Sequence, residues 1–401
     1  MRESARDGRD ALTDRVLEHE HRVTPLELFF DLVFVFAFTQ VTTLMADDPT
    51  WSGLGNGLMI LGALWWAWVG YAWLTNTVDP DEGIVRGAML VAIGAMFIAA
   101  LVVPDAFDEH GVLFGVFFLI VRVMHVLLYA LAGRGNRDLT AVVLRITPPT
   151  VVAAGLIIAA GFADDWLKPA LWLAALVVDY VGPLFAGTSG WTVHPAHFAE
   201  RHALILIIAL GEALIAMGMS AADTDIDAGI IVTVMLGLVV ATSMWLAYFD
   251  FFAIRAESLL SERMGDARNA LARDAFSYLH LPMVAGIVLV ALAMKKTLVD
   301  VGAALDIVPA VGLFGGSALY LLAYVGLRVR VARRISRGRF VAATAFVLLL
   351  PVGTAVPALV ALALAAAAWV SLHAYEFVWW REARAETRAL RAPSRSGEQA
   401  T

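Results

Sequence analysis

Along this chain apolar residues come in blocks of about 20, the length a helix needs to cross a bilayer, separated by short polar connections. The blocks lie near 25–45, 53–75, 84–103, 111–132, 139–161, 166–187, 198–219, 228–252, 272–294, 304–327, 340–356 and 357–379. Helices are the expected elements because each satisfies its own backbone hydrogen bonds in lipid. The ten-residue alternation of a membrane β-barrel is absent from the sequence. Pro351 and Pro357 interrupt the last apolar stretch, so 340–379 reads either as two spans or as one kinked span with a re-entrant piece. The predicted class is all-α: a polytopic transmembrane helix bundle of about twelve spans.

Composition agrees with this pattern. Of 401 residues, 60% are hydrophobic and 16% charged, against roughly 25% charged in soluble domains. The formal net charge of −7 adds little, because most charges fall in connections. The absence of cysteine excludes disulfides, thiolate catalysis and cysteine metal sites. The polar N-terminus has no apolar core of a cleaved signal peptide.

Arginine placement sets an orientation. With the N-terminus cytoplasmic, 23 of the 29 Lys and Arg fall in inner segments and only Lys168, Lys295 and Lys296 in outer ones. Such bias is what the positive-inside rule describes, and it puts both termini in the cytoplasm of a multi-pass bacterial plasma-membrane protein. The segment from Arg328 to Arg339 is the most basic and is expected to lie against anionic lipid headgroups. The organisation read here is a cytoplasmic N-terminal segment (1–24), two six-span halves (25–187 and 188–380) and a disordered cytoplasmic tail (381–401). PLELFFDLVFVFAFTQ (25–40) can be laid on FAERHALILIIALGEA (198–213), aligning Glu27 with Glu200 and Thr39 with Glu212. Two such halves would be parallel repeats.

A charge inside a span costs a few kcal/mol unless it faces protein or water, so intramembrane polar residues carry the information. The first span holds Glu27 and Asp31, four apart on one helical face, with Thr39 and Gln40 deeper. The seventh opens with His197, Glu200, Arg201 and His202 and carries Glu212 further in. Arg122 and His125 lie mid-span in the fourth, Arg145 in the fifth, and Asp179 beside Tyr180 in the sixth. In the competing reading these charges neutralise one another, Asp31 or Asp179 with Arg122. Glu27, Asp250 and Asp274, near predicted ends, would then be interfacial or capping. Trp65, Trp66, Trp68, Trp379 and Trp380 read as an interfacial aromatic belt.

RVTPLELFFDLVFVFAFTQ (22–40), HFAERHALILIIALGEALIA (197–216), the Arg122 segment and Val178-Asp179-Tyr180 resemble the low temperature requirement A family. The resemblance implies an integral membrane protein and leaves the chemistry open. It places the family's marked positions on Glu27, Phe30, Asp31, Thr39, Gln40, His197, Glu200, Arg201, His202 and Glu212. A looser similarity runs to two-repeat lysosomal-type potassium channels, whose first and seventh helices line the pore with a Phe-Ser-Asp signature. Here Phe29-Phe30-Asp31 lacks the serine, and the aligned Leu204 lacks the acid.

The leading functional reading is a conduit, channel or secondary transporter, for an ion or small solute, with His125 and His202 as proton carriers beside the carboxylates. No catalytic or nucleotide-binding motif appears, so an enzyme is not expected. The alternatives are a membrane-embedded enzyme, a cofactor-binding protein or a non-transporting structural protein. A metal site from His197, Glu200 and His202 is the weakest of these. Haem would need a paired-ligand pattern that His125, His202, His280 and His373 do not form, and retinal a mid-span lysine that the chain lacks. No cofactor is assigned, no metal site is adopted and no nucleic-acid partner is expected.

Overall fold

Every predicted block becomes a helix in the computed structural model, which describes residues 22–379 except Asp223. The predicted tail (381–401), Trp380 and most of the N-terminal segment lie outside the described residues. Among the described residues twelve long helices follow one another. They begin with α1 (Pro25–Asp47), α2 (Trp51–Leu74), α3 (Gly83–Leu101), α4 (Gly111–Ala132), α5 (Arg137–Gly161), α6 (Leu167–Ala186) and α7 (Pro195–Ala222). Next come α8 (Ala228–Ser261), α9 (Gly265–Val299) and α10 (Ile307–Ala332), then α11 (Arg337–Gly353) and α12 (Ala358–Trp379). Eleven are long and apolar enough to cross a membrane. The exception, α11, has 17 residues and covers about 25 Å at about 1.5 Å per residue. The stretch 340–379 is therefore two helices, turning where Ala358 N–H donates to Ala303 O (2.7 Å).

Local chemistry sets the start of α1. Thr24 caps it, Pro25 takes the first turn, and Glu27 closes a capping box by accepting Thr24 N–H at 2.8 Å. The most enclosed helices are α2 and α9. α9 packs against α1, α2, α7, α8, α10 and α12, and α1 packs against α7. The first and seventh helices thus meet, as expected, at the side of this centre.

α9 and α10 each contain a π-helical turn, Ala272–Tyr278 and Val311–Gly315. A π turn frees backbone groups from their usual partners, and in α9 side chains take them up. Trp65 Nε1–H donates to Ser277 O at 2.7 Å, and the His280 ring to Ala275 O at 2.9 Å. Trp73 adds a bond to the Ser277 hydroxyl (2.9 Å). Trp65, Trp66 and Trp68 are consequently buried inside the bundle, which corrects the aromatic-belt expectation for them. Trp65 and Trp68 sit where indole N–H groups are needed as donors in the protein interior. Trp379, by contrast, is exposed at a helix end.

Two charged segments also differ from expectation. Arg339 does not face headgroups: it is buried, pairs with Glu376 at 2.7 Å, donates to Ala247 O (2.7 Å) and stacks on the Tyr324 ring. Arg330 pairs with Asp274 (2.9 Å), leaving Arg333, Arg334 and Arg337 as the exposed arginines of that segment. Lys295 and Lys296, read as an outer loop, lie within α9, and Lys295 donates to Thr43 of α1 at 3.3 Å.

The arginine bias gives a direct test of orientation. Reporter fusions at Arg134, Arg263 and Arg334, all in helix connections, are expected to report the cytoplasm. A fusion at Asp108 is expected to report the exterior, and a cytoplasmic signal there would overturn the scheme.

Candidate functional site

Two buried charge clusters form where helices carrying opposite charges abut. In the first, Arg201 of α7 lies between the two acids of α1. One guanidinium nitrogen donates to Glu27 (2.6 Å) and to Thr75 (3.4 Å), and the other to Asp31 at 2.7 Å. Trp68 of α2 donates Nε1–H to the same Asp31 oxygen at 2.8 Å and lies 5.7 Å beneath the guanidinium. His197, one turn before Arg201, meets both Glu27 oxygens at 2.9 and 3.1 Å. All of these side chains are buried. The i, i+4 spacing on each helix puts two charged groups on one face, and the two faces meet. Asp31 thus pairs with Arg201, not with Arg122.

In the second cluster Arg122 of α4 donates to Asp179 of α6 at 2.8 Å, to Thr150 of α5 at 3.1 Å and to Trp66 O at 3.4 Å. This is the pairing expected of Arg122 and Asp179. His125, one turn on, is buried against Gly70, where an added Cβ would sit 3.1 Å from the ring. Beside this cluster runs a cavity that opens to the surface at its mouth. It reaches from Thr188 and Trp191 in the α6–α7 connection to Arg122 and Asp179. Trp66, Trp73 and Trp191 form apolar walls, and Arg145 and Arg273 add two guanidiniums. Pro149 and Pro183 on the lining lie inside α5 and α6, so both helices lose backbone hydrogen bonds beside the cavity.

The other expected site residues disperse. Phe30 packs between Phe34 and Tyr71, with ring centroids 5.3 and 4.6 Å away. Thr39 donates back to Val35 O (3.0 Å), and both Thr39 and Gln40 are half-buried. Glu200 is exposed and, among the described residues, accepts Val23 N–H at 3.3 Å, so it is not part of the interior. It stands one residue, about 100° of helix, from Arg201. Its counterpart in the proposed repeat, Glu27, is buried. His202 lies in an aromatic cage of Trp65, Trp68, Phe198, Phe276 and His280. His197, Glu200 and His202 therefore face three different surroundings. Among the described residues no group of three His, Asp or Glu is arranged to hold a metal ion. Glu212 is fully buried with neither oxygen partnered, and Thr42 and Lys295 are the groups that act on it.

Sequence reasoning missed Trp68 and Thr75 as ligands of the first cluster, and Thr150, Trp66, Trp73 and Trp191 at the second. The prolines inside the fifth and sixth spans were the available signal for the cavity, since broken helices in membranes are tolerated beside cavities or protein.

A model of the Bacterial low temperature requirement A protein family matches residues 22–374. The chain is similar to the uncharacterized protein RA0937 of Rhizobium meliloti (strain 1021), with 31% identity over 276 residues, 66% of this chain and 67% of that one. No solved structure matches. The family match covers both buried clusters and the cavity between α2, α4, α5 and α6, and the chain belongs to the bacterial low temperature requirement A family.

Proposed function

We propose that this integral membrane protein is a conduit for a small solute, a channel or secondary transporter and not an enzyme. The observation that carries the reading is the cavity, which penetrates to the buried Arg122–Asp179 pair beside two helices that contain prolines. Prolines within spans are tolerated where neighbouring protein or a cavity satisfies the freed backbone groups. With the arginine-rich side cytoplasmic, the α6–α7 connection lies on the cytoplasmic face and the cavity extends inward from it. Both termini are then in the cytoplasm of a bacterial plasma membrane.

The roles divide between the clusters. Glu27, Asp31, His197 and Arg201 pair with one another and hold α1, α2 and α7 together, with Asp31 Oδ2, His197 Nδ1 and Arg201 Nε left over among the described residues. Glu212 has no such partner, and an unpaired carboxylate in a span is costly unless it is used. It is the proton- or ion-handling group of this reading. Glu212→Gln keeps the shape of the side chain and an oxygen that can face Thr42, so it is expected to fold as the parent does while changing flux and its pH dependence in proteoliposomes. If purified protein moves no protons, alkali cations, halide or small organic solutes under either gradient, the reading fails. Unchanged flux in Glu212→Gln would remove the role of that residue.

A further inference from the structure

We infer that the cavity is a binding site for a small organic anion, a carboxylate on a compact apolar body. The inference names the substrate class for the conduit reading and rests on it for what the cavity serves. Three observations carry it. The lining holds three arginines, Arg122, Arg145 and Arg273, and one acid, Asp179; Asp274 pairs with Arg273 from outside the lining and is shared with Arg330, so positive charge stays in excess. Like charge repels strongly where water is scarce, so the lining disfavours a cation. Second, among the described residues Nε of the buried Arg122 has no partner, and the buried His125 beside it has no side-chain partner, Gly70 backbone being the polar group against its ring. Asp179 and Thr150 occupy Nη2 of Arg122 and Trp66 O accepts from Nη1, which leaves Nε–H, at one edge of the guanidinium, as its donor without a partner. A planar carboxylate accepts from such an edge and from a neighbouring imidazole N–H, and charge-assisted bonds of this kind are the strong ones. Third, most of the remaining lining is apolar, with Trp66, Trp73, Trp191, Val69 and Ile146, which suits an apolar body.

Benzoate is the probe. In equilibrium dialysis against the purified full chain in detergent, radiolabelled benzoate is expected to bind saturably at one site. Unlabelled benzoate should displace it, and the neutral isostere benzamide at the same concentration should not. His125→Leu breaks no side-chain pairing, so it should keep the parent's melting midpoint and bind about ten- to a hundredfold more weakly, the range for a lost bond to a charged group. Arg122→Gln combined with Asp179→Asn removes the ion pair as a unit, leaves no buried charge alone, and should abolish detectable binding. Absence of saturable binding would overturn the inference. So would displacement by benzamide equal to that by benzoate, or parental affinity in both variants. A fatty carboxylate shares the headgroup chemistry, so laurate forms a separate arm; laurate binding without benzoate binding also overturns the compact-solute site. Flux measured on the same preparation separates the two readings. Benzoate bound but not moved keeps the anion site and removes the conduit, whereas flux of other solutes without benzoate binding does the reverse.

Discussion

Replacing Arg201 with Gln is expected to remove most of the folded protein. The substitution leaves Glu27 and Asp31 buried without their cation, and breaking one side of a buried ion pair costs about 3–5 kcal/mol. That is a large share of the roughly 5–15 kcal/mol by which folded proteins exceed their unfolded states. Arg201→Lys should rescue poorly, because a point ammonium cannot bridge two carboxylates that the guanidinium meets at 2.6 and 2.7 Å. The triple variant Glu27→Gln, Asp31→Asn, Arg201→Gln should recover much of the loss, since no charge remains buried. The measurement is the monodisperse fraction after detergent extraction, with the thermal midpoint of what survives. A single Arg201→Gln variant as stable as the parent would show that the cluster does not hold the helices together.

The second large effect is expected at the crossing of α9 and α10. A Cβ on Gly286 would stand 2.6 Å from Gly316 O, and one on Gly316 would stand 2.8 Å from Gly286 O. Both obstacles are backbone, which cannot rotate away as a side chain can. These glycines let the two helices approach closely, the usual basis of helix association in a bilayer where apolar burial gives no drive. Gly286→Val should therefore destabilise by about 3 kcal/mol, the upper end of ordinary overpacking. Gly94→Ala in α3 is the control, because nothing lies within 4 Å of its added Cβ. There the better helix propensity of alanine should leave stability unchanged or raise it by up to about 1 kcal/mol. Equal behaviour of the two variants in a detergent melt would exclude the close crossing.

The helices were legible because a run of apolar residues as long as the bilayer is thick is a local property of the chain. Intramembrane charge was legible for the same reason: Asp31, Arg122, Asp179, Arg201 and Glu212 stand out against apolar neighbours. Their partners were less so. Arg122–Asp179 emerged correctly, but Asp31 joins Arg201 across 170 residues, and composition does not say which helices abut. Helical phase separates Glu200 from Arg201, yet a charge-rich tetrad at a span's start invites reading all its members as inward. The tryptophans misled because the aromatic belt is a statistical tendency, whereas Trp65 and Trp68 serve as donors to Ser277 and Asp31. The cavity needed five separate segments and left only its prolines as a trace.

The bridge from Asp31 to Arg201 also constrains how the protein is made. Arg201 follows Asp31 by 170 residues, a delay of roughly 9 to 34 seconds at about 5–20 residues per second of synthesis. Throughout that interval α1 carries two acids whose partner Arg201 does not yet exist. An acid at the centre of a span costs about 2.5–3.5 kcal/mol on insertion scales. The Thr24–Glu27 capping box ties one of the two acids to the helix start, but Asp31 has no such local tie. Asp31 of α1 therefore meets its guanidinium partner only when α7 arrives, so this corner of the bundle is closed by a pairing that synthesis delivers late.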